Sequence, residues 1–280
     1  MAFLKTAPRL QKAQGADFHA ALWAPQEPGK DEIVYTAESK FKFDCHPALS
    51  CFNQCCREIN IFLTPYDVLR MKNNLQLPAG EFLQKYTVAV LAENTGLPVV
   101  LLKMDEETGR CPFVTEKGCR VYPDRPWSCR MYPLNQDENG NYTLAEGYVR
   151  CFGLDEDREW AVREWLADQG LEAYNEVEAL FGKVGEQLKS SGHKIQNSKI
   201  QDMYYTSCYD LDKFKRFIFE SSFLKVFEVD GQTIEKIKSD ELELLKFAFQ
   251  WVLFGVADNK TFKIKDDVLE AKRKALGKKG

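Results

Sequence analysis

The segment CHPALSCFNQCC, residues 45–56, brings Cys45, Cys51, Cys55 and Cys56 within twelve positions. A second segment, CPFVTEKGCRVYPDRPWSCRMYPL (111–134), threads Cys111, Cys119 and Cys129 among Pro112, Pro123 and Pro126 and among Arg120, Arg125 and Arg130; Cys151 follows it. Four kinds of chemistry use thiols placed this closely: disulfide formation, zinc coordination, iron–sulfur ligation and nucleophilic catalysis. Eight of the nine cysteines fall between 45 and 151. The ninth, Cys208 in YYTSCYDL, stands apart and reads as a small buried hydrophobe.

Spacing narrows the choice. Zinc ribbons and fingers space paired ligands as C-x2-C to C-x4-C, so that one tight turn aims two thiolates at a tetrahedral ion. Here the intervening residues number five, three and none in the first group. They number seven, nine and twenty-one from Cys111 to Cys151, so C-x2-C never occurs. A C-x3-C-x2-C triplet would need a cysteine at position 58, which is Glu58, and the ferredoxin-type C-x2-C-x2-C run is missing too. What remains is an all-thiolate site assembled from distant segments, a ligand set that suits iron–sulfur clusters. Adjacent Cys55 and Cys56 point in different directions on helix or strand. They can both touch one polynuclear cluster or serve two centres more easily than share one zinc ion. Two four-thiolate centres, or one cluster with spare thiols, are both open. The prolines stiffen the second loop before metal arrives. Its arginines either stabilise thiolate charge or pair with surface carboxylates.

Composition limits the remaining classes. The 280 residues suffice for one large domain or two ordinary ones, and 44% apolar with 29% charged residues is ordinary globular composition. A net charge of 38 − 42 = −4 gives no basic field for nucleic acid. The opening MAFLKTAPRLQKAQGADF lacks the apolar core of a signal peptide. The most apolar run, 242–257, is 16 residues long and contains Glu243 and Lys246, too short and too polar for a bilayer. No membrane or nucleic-acid partner is therefore expected, and the expected compartment is the cytoplasm, where clustered thiols are metal ligands or redox groups rather than disulfides. G-x-G-x-x-G, P-loop, H-E-x-x-H and G-x-S-x-G signatures are all lacking, and the only imidazoles are His19, His46 and His193. His46 adjoins Cys45, but adjacent residues rarely face each other, so a Cys–His hydrolase is disfavoured. No catalytic residue is assigned.

The elements that must position these thiols are legible in outline. The expected fold is α+β and mostly helical: an N-terminal extension (1–37), a loop-rich cysteine-cluster domain (38–153) and a helical C-terminal domain (154–280). EIVYTA reads as a short strand in the extension. Thr64 as N-cap, Pro65 at the first helical position and Asp67 in the first turn predict a helix with Leu63, Val68, Leu69 and Met71 or Leu75 facing the core. YTVAVLAEN and LPVVLLKMDE read as strands, and DENGNYTL as a turn between two more. Beyond Cys151, Val162, Trp165 and Leu166 share a helical face that breaks near Gly170, and ten acids against three bases over 155–186 predict an acidic surface. Asp210 and Asp240 read as helix caps, the latter with Glu243 at capping-box spacing. The end, 260–280, with eight bases and three acids, reads as a solvated helix and tail.

CHPALSCFNQCC, LTPYDVLRMK, the C-x7-C-x-V-Y-x-x-R-P-x-x-C-R-x-Y-P stretch and a later RCFGL resemble the YkgJ family of cysteine-cluster proteins, described as zinc- or iron-chelating, over roughly 41–155. The resemblance implies a ligand pool of Cys45, Cys51, Cys55, Cys56, Cys111, Cys119 and Cys129, joined by Cys151. This chain departs from the family's C-x2-C-x2-C-C, reading C-x5-C-x3-C-C. The implied function is a metal-binding protein with an iron–sulfur cluster in a redox, sensing or cluster-dependent role. Zinc is the alternative metal, in an interaction module. The family also resembles S-adenosylmethionine-dependent flagellin lysine methylases, an activity not carried by every member. A redox or protein partner is expected on the helical C-terminal half.

Overall fold

The computed structural model describes residues 11–12, 33–137, 139–145, 150–191, 194–257 and 262–277. The chain is mostly helical α+β, as the sequence predicts. Its main sheet has the order β1-β4-β5-β3, formed by β1 (Gln11–Lys12), β3 (Phe62–Leu63), β4 (Thr87–Leu91) and β5 (Pro98–Leu102). β4 and β5 pair antiparallel from Thr87↔Leu102 to Leu91↔Pro98. These are the two apolar stretches read as strands, and Ala89, Val90, Val99, Val100 and Leu102 are buried. Three two-stranded pairs complete the strand set among the described residues: β2 (Lys40–Lys42) with β10 (Glu159–Ala161), β6 (Val114–Thr115) with β7 (Gly118–Cys119), and β8 (Leu134–Gln136) with β9 (Tyr142–Leu144). The β8–β9 turn closes because Asp137 Oδ1 accepts from the backbone N–H of Asn139 and Asn141. EIVYTA departs from expectation: Tyr35 makes only an isolated bridge to Tyr142, and the nearby strand is β2 instead.

Helix α1 (Pro65–Asn74) begins as predicted, with a complete capping box. Thr64 Oγ1 accepts from Asp67 N–H at 3.1 Å, and Asp67 Oδ2 accepts from Thr64 N–H at 2.9 Å. Leu63, Val68, Leu69 and Met71 are all buried. After α1 come α2 (Ala79–Tyr86), α3 (Trp127–Met131), α4 (Val162–Asp168) and α5 (Leu171–Ser191). Gly170 breaks α4 from α5 in the left-handed region, at φ 65°. The chain continues through α6 (Ser198–Cys208), α7 (Leu211–Glu220), α8 (Phe223–Val226), α9 (Gly231–Ser239), α10 (Glu241–Ala257) and α11 (Asp266–Gly277). Asp210 caps α7 through Lys213 N–H, as expected. Asp240 caps α10 through the N–H groups of Leu242 and Glu243, but the anticipated box does not close. Asp240 N–H is already bound to the Lys236 carbonyl at the end of α9, and Glu243 pairs with Lys246 instead.

The large core packs α1, α2 and the main sheet against α5, α6, α7 and α10, so it draws on both sides of residue 154. A smaller core gathers Phe41 and Phe43 beside β2, Met131 at the end of α3, Leu134 and Tyr142 of β8–β9, and Val162 and Trp165 of α4. The cysteine loops lie between these two bodies. Cys111, Cys119 and Cys129 pack on the large core and Cys151 on the small one.

One acid of the 155–186 stretch is not on the surface. Glu178 of α5 is buried, and its Oε1 has no hydrogen-bond partner among the described residues. Burial, and secondarily the neighbouring Asp67 charge, push its carboxyl up to about 8 from an ordinary 4.5. The folded state therefore holds a proton that the unfolded chain gives up above about 4.5, so stability falls as pH rises from about 4.5 to about 8. Urea unfolding across that range will show the decline, and Glu178→Gln will flatten most of it.

Candidate metal centre

Three short pieces of backbone carry the thiols, and each is held from outside itself. Cys45 follows β2, where Asp44 N–H donates to Gly153 O at 2.9 Å and Phe43 N–H to Arg158 O at 2.9 Å. Cys51 Sγ accepts from Phe152 N–H at 3.3 Å, immediately after Cys151. Cys55 and Cys56 end a single 3-10 turn, Gln54–Cys56, entered through Asn53 at φ 64°. Cys56 then joins the second segment: its carbonyl accepts from Cys111 N–H at 2.9 Å. Cys119 lies in the β6–β7 hairpin opposite Val114, whose N–H returns to the Cys111 carbonyl at 3.1 Å.

Cys129 sits in the middle of α3, and α3 is fixed by groups far away in sequence. Asp67 Oδ1 accepts from Trp127 N–H at 2.8 Å, so the carboxylate that caps α1 also caps α3. Trp127 Nε1 donates to Asn175 Oδ1 of α5 at 2.8 Å. Arg130 is buried and makes no ion pair among the described residues; its guanidinium donates to the carbonyls of Arg125, Gln169 and Pro123 and lies 4.5 Å from the Tyr174 ring centre. Arg125 is equally buried, donates to Tyr122 O and to Gln169 Oε1, and stands 3.8 Å over the Tyr122 ring. Pairing of Arg125 and Arg130 with surface carboxylates is thus not what these residues do. Arg130 is a structural clamp, whereas the Arg125 charge favours the thiolates of Cys119 and Cys129.

Six of the eight clustered cysteines, namely Cys45, Cys55, Cys56, Cys111, Cys119 and Cys129, line one cavity of about 490 Å³, together with Arg125, Tyr132 and several aromatic rings. Cys51 and Cys151 are not on its wall; both approach Cys45 from the Phe152 side. Among the described residues, no three His, Cys, Asp or Glu side chains converge on one ion-sized point. Six of the cysteines are instead spread along the cavity wall. Cys55 and Cys56 Sγ are 4.0 Å apart, with the pair sharing a proton so that Cys55 is lowered and Cys56 raised. Burial, then repulsion from Cys55, Cys151 and Cys51, pushes Cys45 up to about 11. Burial also pushes up Cys111, Cys119 and Cys129, and neighbouring thiols add to the rise at Cys111 and Cys129. Deprotonating thiols crowded in this way creates repulsion between thiolates that a bound cation offsets, so the donor set fits a thiophilic metal centre.

Residues 44–148 match the family model CxxCxxCC, described as a "putative zinc- or iron-chelating domain". The match is consistent with the YkgJ-type cysteine-cluster family that the motifs of this segment resemble. No curated protein and no solved structure matches the chain. The matched segment stops short of Cys151, which joins the site through the Phe152 and Gly153 backbone.

Two residues at the site escaped sequence reasoning. Asp67 was legible as a first-turn acid of its own helix, but one of its oxygens is used sixty residues away. Tyr132, within the C-R-x-Y-P spelling, hydrogen-bonds to Cys151; burial, then that bond, raises its hydroxyl. His46 makes a 3.7 Å approach to Glu156 at the surface. Cys208 is fully buried at the end of α6, its thiol raised by burial alone, with no cysteine influencing it.

Two outcomes follow. Asp67→Ala will destabilise the chain by roughly 2–4 kcal/mol in urea unfolding, because two helix starts lose one buried acceptor. Cys208→Ala will leave metal content unchanged at a cost of about 1 kcal/mol, while Cys55→Ser will lose metal by elemental analysis.

Proposed function

We propose that this chain is an iron–sulfur protein whose cysteine segment binds the cluster and whose role is redox, sensing or cluster-dependent. The observation that carries the reading is the arrangement of the sulfurs. Six of the eight clustered cysteines line a cavity of about 490 Å³, and among the described residues no three potential ligands meet at one ion-sized point. A cluster several atoms across suits thiols spread along a cavity wall better than a single tetrahedral ion with metal–sulfur bonds of about 2.3 Å. The absence of C-x2-C pairs supports the same choice.

The protein's own contribution is threefold. Cys45, Cys51, Cys55, Cys56, Cys111, Cys119, Cys129 and Cys151 supply the thiolate ligands. Arg125 offsets part of the anionic charge gathered there. The Asp67 and Arg130 anchors keep the ligand loop in place. When bound, the cluster would supply one-electron chemistry.

Protein purified without oxygen will be brown, absorb broadly in the visible and contain iron with acid-labile sulfide in matching amounts. Colourless protein that holds zinc and no sulfide would replace the cluster with a zinc centre. Removal of the metal by a chelator will lower the melting temperature, since ligand binding to the folded state alone adds to its stability.

A further inference from the structure

The adjacent cysteines Cys55 and Cys56 divide the thiols into two groups. Three independent features draw the same line. The first is backbone attachment: Cys56 is hydrogen-bonded to Cys111, which is joined through Val114 to Cys119, whereas Cys51 is bonded to the residue after Cys151 and Asp44 to Gly153. The second is packing: Cys111, Cys119 and Cys129 rest on the large core and Cys151 on the small one. The third is electrostatic neighbourhood. Cys45 feels Cys55, Cys151 and Cys51; Cys56, apart from Cys55, feels Cys129 and Cys111.

We propose that the chain holds two separate thiolate centres, an outer one on Cys45, Cys51, Cys55 and Cys151 and an inner one on Cys56, Cys111, Cys119 and Cys129, which abut at the Cys55–Cys56 pair. This rests on the metal-binding reading above and gives its stoichiometry. Each set has four thiolates, the number that a cubane-type cluster takes.

The two centres differ in surroundings, and so in how firmly they hold metal. Cys45 and Cys55 are exposed, on segments whose carboxylates Asp44, Asp155, Glu156 and Asp157 are paired with Arg158, Arg150, His46 and Lys42. Exposed ligands leave the metal open to water and to competing ligands. The inner set has the buried Arg125 charge at Cys119 and Cys129 and no exposed cysteine. The outer centre is therefore the exchangeable one and the inner centre the retained one.

The test uses the full chain purified without oxygen. Metal release into a colorimetric chelator will follow two phases of equal amplitude, the fast one from the outer centre. The double variant Cys45→Ser/Cys151→Ser will keep about half of the wild-type metal and show only the slow phase. Circular dichroism will report whether that variant folds; if it does not, the release phases of the unaltered chain decide. A single release phase from the wild type, or complete loss of metal from a folded double variant, would show one shared centre and overturn the division. Wild-type protein with no metal at all would instead overturn the metal-binding reading itself.

Discussion

One buried carboxylate holds the ligand framework together. Asp67 is fully enclosed, yet each of its oxygens accepts a backbone N–H, one from Thr64 and one from Trp127. Those two bonds start α1 and α3, and α3 carries Cys129. Burial raises the Asp67 carboxyl to about 6, so near neutral pH it is charged and its two amide bonds are charge-assisted. A shared acceptor of this kind fixes the angle between two elements in a way that apolar packing, which is non-directional, does not.

Arginine has two distinct uses within one short segment. Arg130 is spent on main-chain carbonyls and on the Tyr174 ring, so it closes the loop 123–126 and the α4–α5 turn around α3. The planar fork of guanidinium donors suits several carbonyls at fixed angles; a lysine has a single point of attachment to offer. Arg125 stacks on Tyr122 and faces the Cys119 and Cys129 thiols, where its charge acts on the site itself. The same residue type thus supplies geometry at one position and potential at the other.

The thiols oppose the fold that gathers them. Cysteines from both segments crowd one cavity wall, and burial with mutual repulsion keeps most of them protonated. The framework that brings them together is built elsewhere: the two cores, the β6–β7 hairpin, the Cys56–Cys111 backbone bond and the Phe152 contact to Cys51. Metal binding and loop order are therefore coupled, because a bound cation offsets the repulsion that thiolates at this spacing would feel.

By itself the sequence determined the local features. Composition and hydrophobic period set the mostly helical α+β class, the Thr64-Pro65-x-Asp67 spelling set the start of α1, and the crowding of eight cysteines set the chemistry of the site. These depend on neighbours in the chain, where residue type and spacing are enough. Only the tertiary structure decided where the groups go: Asp67 reaching Trp127, Arg130 turning to main-chain carbonyls, Glu178 lying inside an otherwise acidic stretch, and the Cys56 carbonyl accepting from Cys111 N–H. Such choices are made by contacts between residues far apart in sequence. No local pattern encodes them, because a side chain with several satisfactory partners takes the one that packing brings within reach.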